Sequence, residues 1–263
     1  NLARTLGPAL GGFLIPLTGV GGLFLVNAVT YLVIIIAVRK IDLPPHKLRP
    51  DLREKFLGNL TQGYRYIWQN KPLRIYIYLG LVAALLILPY NSLLPAYVEQ
   101  VLHGGPRLYG IITASFGAGA VVGAMKFVNF RSIVGGVATL MAAIAQGVIF
   151  IGFGMSAMPV MAPLLLFLLG MATIVYNSHV LTAVQLTASP EYLGRVLGIY
   201  SISKAVTGGG AILMAFIAAQ LGVGQAFVIS GILYLILGVG VQFLNRETRS
   251  ETFNAEVAGD PEN

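Results

Sequence analysis

Residues 19–38 read GVGGLFLVNAVTYLVIIIAV, and residues 222–241 read GVGQAFVISGILYLILGVGV, so one stretch of the chain is repeated. With the two stretches aligned at their Gly-Val-Gly starts, the identical positions of the first are Gly19, Val20, Gly21, Phe24, Tyr31, Leu32 and Val38. Each stretch is apolar over about 20 residues, the length that a helix needs to cross a bilayer. The repeat predicts two halves of about 200 residues and about twelve membrane-spanning helices.

The composition supports a membrane protein. Of 263 residues, 56% are hydrophobic and 10% are charged, and the mean hydropathy is +0.80. Soluble domains contain about 25% charged residues, so this chain cannot cover a water-exposed surface of its size. The same values exclude intrinsic disorder. Because the chain contains no cysteine, it forms neither a disulfide nor a cysteine-ligated metal site.

Apolar runs of spanning length follow one another along the chain. They cover residues 20–38, 75–98, 108–127, 133–154, 159–183, 196–219 and 225–244. Residues 1–17 begin inside an apolar pattern, without Met or a charged leader, so we interpret them as most of an eighth span in a chain cut from a longer protein. The predicted fold class is therefore an all-α membrane protein.

Basic residues predict the orientation. Nine of the seventeen Lys and Arg residues lie in 39–74, and alternate connections carry almost none, so this loop and the C-terminus are expected to be cytoplasmic. Within the loop, an apolar series at helical spacing predicts an amphipathic helix at the membrane interface, anchored by Trp68. The series is Leu52, Phe56, Leu60, Tyr64 and Ile67. A basic helix for nucleic acid or calmodulin is the alternative, and the flanking spans favour the interface, with no nucleic-acid partner.

Two motifs resemble those of major facilitator superfamily exporters, in the branch of the enterobactin exporter and macrolide efflux proteins. Gly7, Pro8, Gly11 and Gly12 are similar to the Gly-Pro-x-x-Gly-Gly signature of the fifth helix, which is associated with antiporters. Residues 189–196, SPEYLGRV, resemble the cytoplasmic link between the tenth and eleventh helices. Residues 125–131, MKFVNFR, depart from the family's charged gating motif after the eighth helix.

The resemblance implies a major facilitator fold from the end of helix 5 through helix 12. Residues 1–39 would be the last two helices of the N-terminal half, and 40–72 a cytoplasmic linker with the amphipathic helix. Residues 73–245 would form the six-helix C-terminal half, and 246–263 a disordered cytoplasmic tail. The glycines of 117–123 and 208–210 lie inside apolar helices, so they predict close helix packing and not a nucleotide-binding turn.

Polar residues within spans are costly and mark candidate sites. The candidates for the substrate pathway are Arg4, Tyr90, Asn91, Tyr176, Asn177, His179, Gln185 and Lys204. They fall on helices that line the central cavity in the superfamily's arrangement, and two cations would favour an anionic substrate. The alternatives are that His179 only packs and that Arg4 neutralises a carboxylate elsewhere in the protein. Glu191 and Arg195, four residues apart, are expected to pair at a cytoplasmic gate.

The sequence thus predicts secondary active efflux of a small molecule, such as a drug or siderophore, by ion-gradient-driven antiport and alternating access. No span contains an acidic residue, so the proton-binding carboxylate is expected in helices outside this chain, with His179 as the alternative. An uptake symporter on the same fold and a transport-inactive sensor or assembly protein remain open. We expect no enzymatic activity, no cofactor or metal, a monomer, and a multi-pass location in the inner membrane.

Overall fold

The computed structural model describes residues 22, 25, 28–39, 52–128 and 136–244. Regular structure in these residues is helical. The helices are α1 (Ala28–Arg39), α2 (Leu52–Gln69), α3 (Lys71–Leu86), α4 (Tyr90–Gln100), α5 (Pro106–Val128), α6 (Gly136–Met155), α7 (Met161–Thr187), α8 (Leu193–Ser203), α9 (Thr207–Leu221), α10 (Val223–Tyr234) and α11 (Gly240–Leu244). A 3₁₀ turn, Lys204–Val206, separates α8 from α9, and a π-helical turn, Leu235–Val239, separates α10 from α11.

Five segments of the described chain are long and apolar enough to cross a membrane: Lys71–Gln100, Pro106–Met125, Met161–Thr187, Leu193–Leu221 and Val223–Gln242. They confirm the five predicted spans that begin at residues 75, 108, 159, 196 and 225. The runs predicted at 20–38 and 133–154 correspond to shorter apolar helices, Ala28–Arg39 and Thr139–Met155. The interpretations of residues 1–17 and of the tail, 246–263, lie outside the described residues.

Glycines allow α5 and α7 to pack with their backbones in contact. A methyl group on Gly119 of α5 would overlap the carbonyl of Phe167, and one on Gly170 of α7 would overlap the carbonyl of Phe116. Gly123 extends the same strip by one turn. Small residues permit such approach between membrane helices, where van der Waals contact drives association. The prediction that this glycine-rich stretch packs helices is confirmed.

An aromatic cluster joins α4, α6 and α10 near one end of the bundle. The rings of Tyr97, Phe150, Phe153 and Phe227 have centroids 4.5–5.3 Å apart in their contacting pairs. The Tyr97 hydroxyl donates to the carbonyls of Phe153 and Ser156, close to the end of α6. The last carbonyls of a helix have no intrahelical partner. The Tyr97 hydroxyl therefore supplies hydrogen bonds that lipid hydrocarbon could not.

Helix α2 occupies the position of the predicted amphipathic helix and packs on the start of α8. A methyl group on Gly63 would lie 3.0 Å from Ile199 Cδ1 and 3.1 Å from Arg195 Cβ. The predicted apolar face is only partly buried: Ile67 is 4% exposed, whereas Tyr64 is 57% exposed. The side chains of Leu52 and Phe56 lie outside the described set. Helix α2 therefore contacts the bundle through one side, and its location at the membrane interface stays a prediction.

Candidate transport pathway

The segment Lys71–Gln100 is interrupted in its middle. Helix α3 ends at Leu86, and α4 begins at Tyr90 after a turn that contains Pro89. Because Pro89 has no N–H, the carbonyl of Leu85 receives no i+4 hydrogen bond. The break therefore lies at Pro89, whereas Pro95 lies inside α4.

A second interruption divides Leu193–Leu221. The turn Lys204–Val206 is 3₁₀-helical, and the Thr207 hydroxyl donates to the Lys204 carbonyl at 2.7 Å. The Lys204 side chain is half-buried, and its Nζ lies 4.8 Å from the ring centroid of Tyr200. The sequence predicted one unbroken helix here, because the turn contains neither proline nor glycine.

The two interruptions lie side by side. A methyl group on Gly210 of α9 would overlap the Leu85 carbonyl and would lie 2.6 Å from Pro89 Cγ. In the helices that precede the two interruptions, Gly80 of α3 faces the ring of Tyr200 of α8. Helix α3 also contacts the turn that carries Lys204. A cationic side chain and backbone groups freed from helical hydrogen bonding therefore occupy adjacent parts of the fold.

Asn91 and Tyr90 follow the first interruption but have different surroundings. The Tyr90 side chain is 3% exposed, and its ring lies 4.9 Å from that of Phe116. Asn91 is exposed, and Pro95 deprives its backbone carbonyl of an i+4 donor. Of the two predicted pathway residues, Asn91 is exposed, whereas Tyr90 packs α4 against α5.

The candidates on α7 form a series that leaves the core along the helix. Tyr176 is completely buried, and its hydroxyl donates to the Leu79 carbonyl at 3.0 Å. Asn177 is half-buried and donates to the Thr173 carbonyl at 2.9 Å, whereas Gln185 is exposed. Residues three apart drift by about 60° around a helix, which explains this gradient. Tyr176 therefore holds α7 to α3, and its surface offers nothing to a substrate in this conformation.

His179 lies between these extremes. Its side chain is half-buried, and its Nδ1 is shielded from solvent with no hydrogen-bond partner among the described residues. An imidazole nitrogen in such a position can bind a proton or accept a hydrogen bond from a ligand. Its role in the pathway stays a prediction.

A buried hydrogen-bond network on α6, α7 and α10 was missed by sequence reasoning. Gln146 Nε2 donates to Thr173 Oγ1 at 2.9 Å, and the Tyr234 hydroxyl donates to Gln146 Oε1 at 2.7 Å. These three side chains are at most 7% exposed. One feature of the sequence could have indicated this network: Gln146 lies in an otherwise apolar span. An amide side chain in hydrocarbon requires hydrogen-bond partners, so it predicts polar groups on neighbouring helices.

At the predicted cytoplasmic gate, aromatic contacts replace the expected ion pair. Glu191 is exposed, and no ion pair joins it to Arg195 in this part of the described chain. The Arg195 guanidinium carbon lies 5.1 Å from the ring centroid of Tyr192. Tyr192 stacks on Tyr66 of α2 with centroids 4.4 Å apart, and the Tyr66 hydroxyl accepts from the Ser189 amide at 3.1 Å. The link is thus held by α2.

The remaining predicted residues, Arg4, Gly7, Pro8, Gly11 and Gly12, lie outside the described residues. Among those that the structure describes, no group of three His, Asp or Glu side chains is arranged to hold a metal ion. Among the described pathway candidates, Asn91 and Lys204 belong to the paired interruptions, and Asn177, His179 and Gln185 on α7 stay predictions.

The whole chain matches a known family. A family model described as "Transmembrane secretion effector" covers residues 1–258. The "Uncharacterized MFS-type transporter YvqJ" of Bacillus subtilis (strain 168) is 25% identical over 87% of this chain and 54% of its own length.

Two relatives carry more specific names. The "Multidrug efflux pump Tap" of Mycolicibacterium fortuitum is 29% identical over 94% of this chain and 61% of its own length. The "Macrolide efflux protein A" of Streptococcus pyogenes is 22% identical over 93% of this chain and 62% of its own length. The chain therefore spans between 54% and 62% of the length of these three relatives.

Proposed function

The chain belongs to the transmembrane secretion effector family of the major facilitator superfamily, whose members are transporters and not enzymes, and we propose that its protein exports a small molecule by alternating access. In such transporters two helical halves rock around a site near the middle of the bilayer. This chain would supply the C-terminal half, residues 73–245, and the end of the N-terminal half, residues 1–39.

The observation that carries the proposal is the pairing of two interrupted helices. Transporter sites are commonly formed where spanning helices break, because the freed backbone groups and the helix ends can bind polar solutes. The interruptions at Pro89 and at Lys204–Val206 are adjacent through Gly210. They combine the exposed Asn91, whose carbonyl Pro95 leaves without an i+4 donor, with a half-buried cation, and these are elements of a polar site within spans.

The direction of transport is argued from the relatives. Two of these relatives are named as efflux proteins, one for multiple drugs and one for macrolides. These names favour export over uptake on the same fold. They also favour an amphiphilic organic substrate, and Lys204 would suit one that carries a carboxylate or another anionic group.

Coupling and orientation complete the proposal. An inward proton gradient would drive export. Within the described spans the only acidic residue is Glu99, which is exposed near the end of Lys71–Gln100, so the proton-binding carboxylate would lie elsewhere in the protein. The basic segment with α2, the α7–α8 link and the C-terminus would face the cytoplasm of a bacterial inner membrane. The transporter would act as a monomer.

Export by the full-length protein that contains this chain can be tested with Lys204→Ala. In inverted membrane vesicles that take up a fluorescent anionic dye when energised, we expect the variant to lose at least about tenfold in initial rate, because one desolvated ionic contact is worth more than about 1.4 kcal/mol. Lys204→Arg should retain part of the rate. Arg107→Ala, which removes an exposed cation from the first turn of α5, should match the unsubstituted protein.

Three results would contradict parts of this proposal. Dye extrusion from inverted vesicles would indicate uptake in the cell, and no energised flux of any dye or macrolide would indicate a non-transporting protein. An unchanged rate in Lys204→Ala, at equal expression, would remove the paired interruptions from the substrate site.

A further inference from the structure

An apolar groove lies where α2, α3, α8 and α11 meet. Its volume is about 470 Å³, and its floor is formed by Ile75, Ile77, Leu81, Ile199 and Val241. Small-molecule pockets in proteins typically measure roughly 300–1,000 Å³, so the groove has the capacity for an organic ligand. Most of its floor lies on Lys71–Gln100, a segment long and apolar enough to cross a membrane.

Two aromatic side chains form one side of the groove. Tyr64 and Trp68 are one helical turn apart on α2, and their rings are stacked with centroids 5.6 Å apart. The side chains of Tyr64 and Trp68 are 57% and 59% exposed, so the described helices leave most of each ring uncovered. Tyr and Trp with a polar edge and an apolar face are favoured at the level of the lipid headgroups. This pair therefore marks the depth at which the groove opens.

Two cations stand at the same level. Lys71 and Arg74, both exposed, occupy the first turn of α3, where no acidic residue is present. The Arg74 guanidinium carbon lies 5.4 Å from the Trp68 ring centroid, and Nη1 donates to the Trp68 carbonyl at 3.4 Å. Because the positive end of the α3 dipole coincides with these cations, the helix field adds to their charge instead of offsetting it.

We propose that this groove binds an anionic phospholipid, with its phosphate between Lys71 and Arg74 and an acyl chain along the apolar floor. None of the residues that line the groove is acidic, so the rim is complementary to a phosphodiester. Basic pockets between membrane helices bind anionic headgroups by this combination of charge and apolar surface. The stacked rings of Tyr64 and Trp68 would cover the glycerol backbone. None of the predicted pathway residues lines the groove, and lipid binding there does not depend on transport.

Native mass spectrometry of the full-length protein tests the site directly. The purified protein is titrated with phosphatidylglycerol and with phosphatidylcholine of the same acyl chains, and bound lipid is counted by mass. We expect retained phosphatidylglycerol and little phosphatidylcholine. Lys71→Gln combined with Arg74→Gln should weaken phosphatidylglycerol binding by at least about tenfold, because two cations near the headgroup level are lost.

A charge-matched control separates this groove from general attraction. Arg65→Gln with Arg107→Gln removes two exposed cations that do not line the groove, and it should leave binding unchanged. Leu81→Trp, which fills the floor but keeps both cations, should weaken binding as well. Melting temperatures of all variants verify that each protein is folded.

Several outcomes would overturn the proposal. These are equal retention of the two lipids by the unsubstituted protein, equal losses in the groove pair and the control pair, or full binding by Leu81→Trp. A photoreactive side chain in place of Tyr78, another lining residue, should capture lipid in membranes; capture of a protein segment instead would assign the groove to another part of the polypeptide.

Discussion

Single glycines determine how closely the spanning helices approach one another. Gly119 faces the backbone of α7 so tightly that a methyl group would overlap the Phe167 carbonyl, whereas Gly152 of α6 has no neighbouring atom within 4 Å of such a group. Both residues lie inside helices, so replacement by alanine improves helix propensity equally, by about 1 kcal/mol. The two sites therefore differ only in packing.

We expect Gly119→Ala to lower the stability of the protein and Gly152→Ala to leave it unchanged or raise it. Overpacking of a tight contact costs about 1–3 kcal/mol, which exceeds the gain in propensity. Thermal unfolding in detergent, followed by circular dichroism, measures both variants. Equal melting temperatures would mean that α5 and α7 can separate slightly without loss.

Residue burial was the least predictable property of the candidate site. Tyr176, Asn177 and His179 looked equivalent as polar residues of one span, yet Tyr176 is fully buried while the other two are half-buried. The angular position of each residue around α7 follows from the sequence, but the side of α7 that packs against α3 does not. That choice depends on the Tyr176–Leu79 hydrogen bond, which joins residues 97 positions apart.

At the scale of helices, one interruption was predictable and the other was not. Pro89 removes a backbone donor, so the sequence alone predicts a break there. Lys204–Val206 contains no such residue, and the break accompanies the close approach of Gly210 to Leu85. The positions of the spans followed from hydropathy, because a bilayer requires about 20 apolar residues in each. Breaks caused by tertiary packing have no comparable signal.

Neighbouring glycines of α9 allow the packing of the two interruptions to be tested. A methyl group on Gly210 would overlap the Leu85 carbonyl, whereas Gly209 has open space around it. We therefore expect Gly210→Ala to reduce transport by at least about tenfold, since a displacement of about 1 Å at a site can cost a hundredfold, and Gly209→Ala to preserve it. Initial rates in energised vesicles, at matched expression, measure both. Equal rates would show that the interruptions need not touch.

For the molecule as a whole, exposed apolar surface marks the faces that need a neighbour. All twelve residues of α1, from Ala28 to Arg39, are exposed, and only 12% of the most apolar stretch of Leu193–Leu221 is buried, against 61% for Lys71–Gln100. Large apolar patches are covered by lipid or by protein in a membrane. The two-half architecture would place the α8–α9 face toward the partner half.

The proposed orientation can be tested by cysteine labelling, because this chain contains no cysteine of its own. Glu191 in the α7–α8 link and Met158 before α7 are both exposed, and they belong to opposite ends of α7. We expect Met158→Cys to react with a membrane-impermeant maleimide on intact cells, and Glu191→Cys to react only after permeabilisation. The reverse pattern would invert the topology.

The hydrogen bonds among Gln146, Thr173 and Tyr234 have a consequence for how motion is measured. They join α6, α7 and α10 where no water can replace a broken bond, so we expect these three helices to move as one unit in the proposed transport cycle. The distance between two spin labels attached to these helices should therefore stay constant, and it can serve as an internal reference. The distances from these two labels to a third label, on α9 or on the other half, would then report the displacement of that helix relative to α6, α7 and α10.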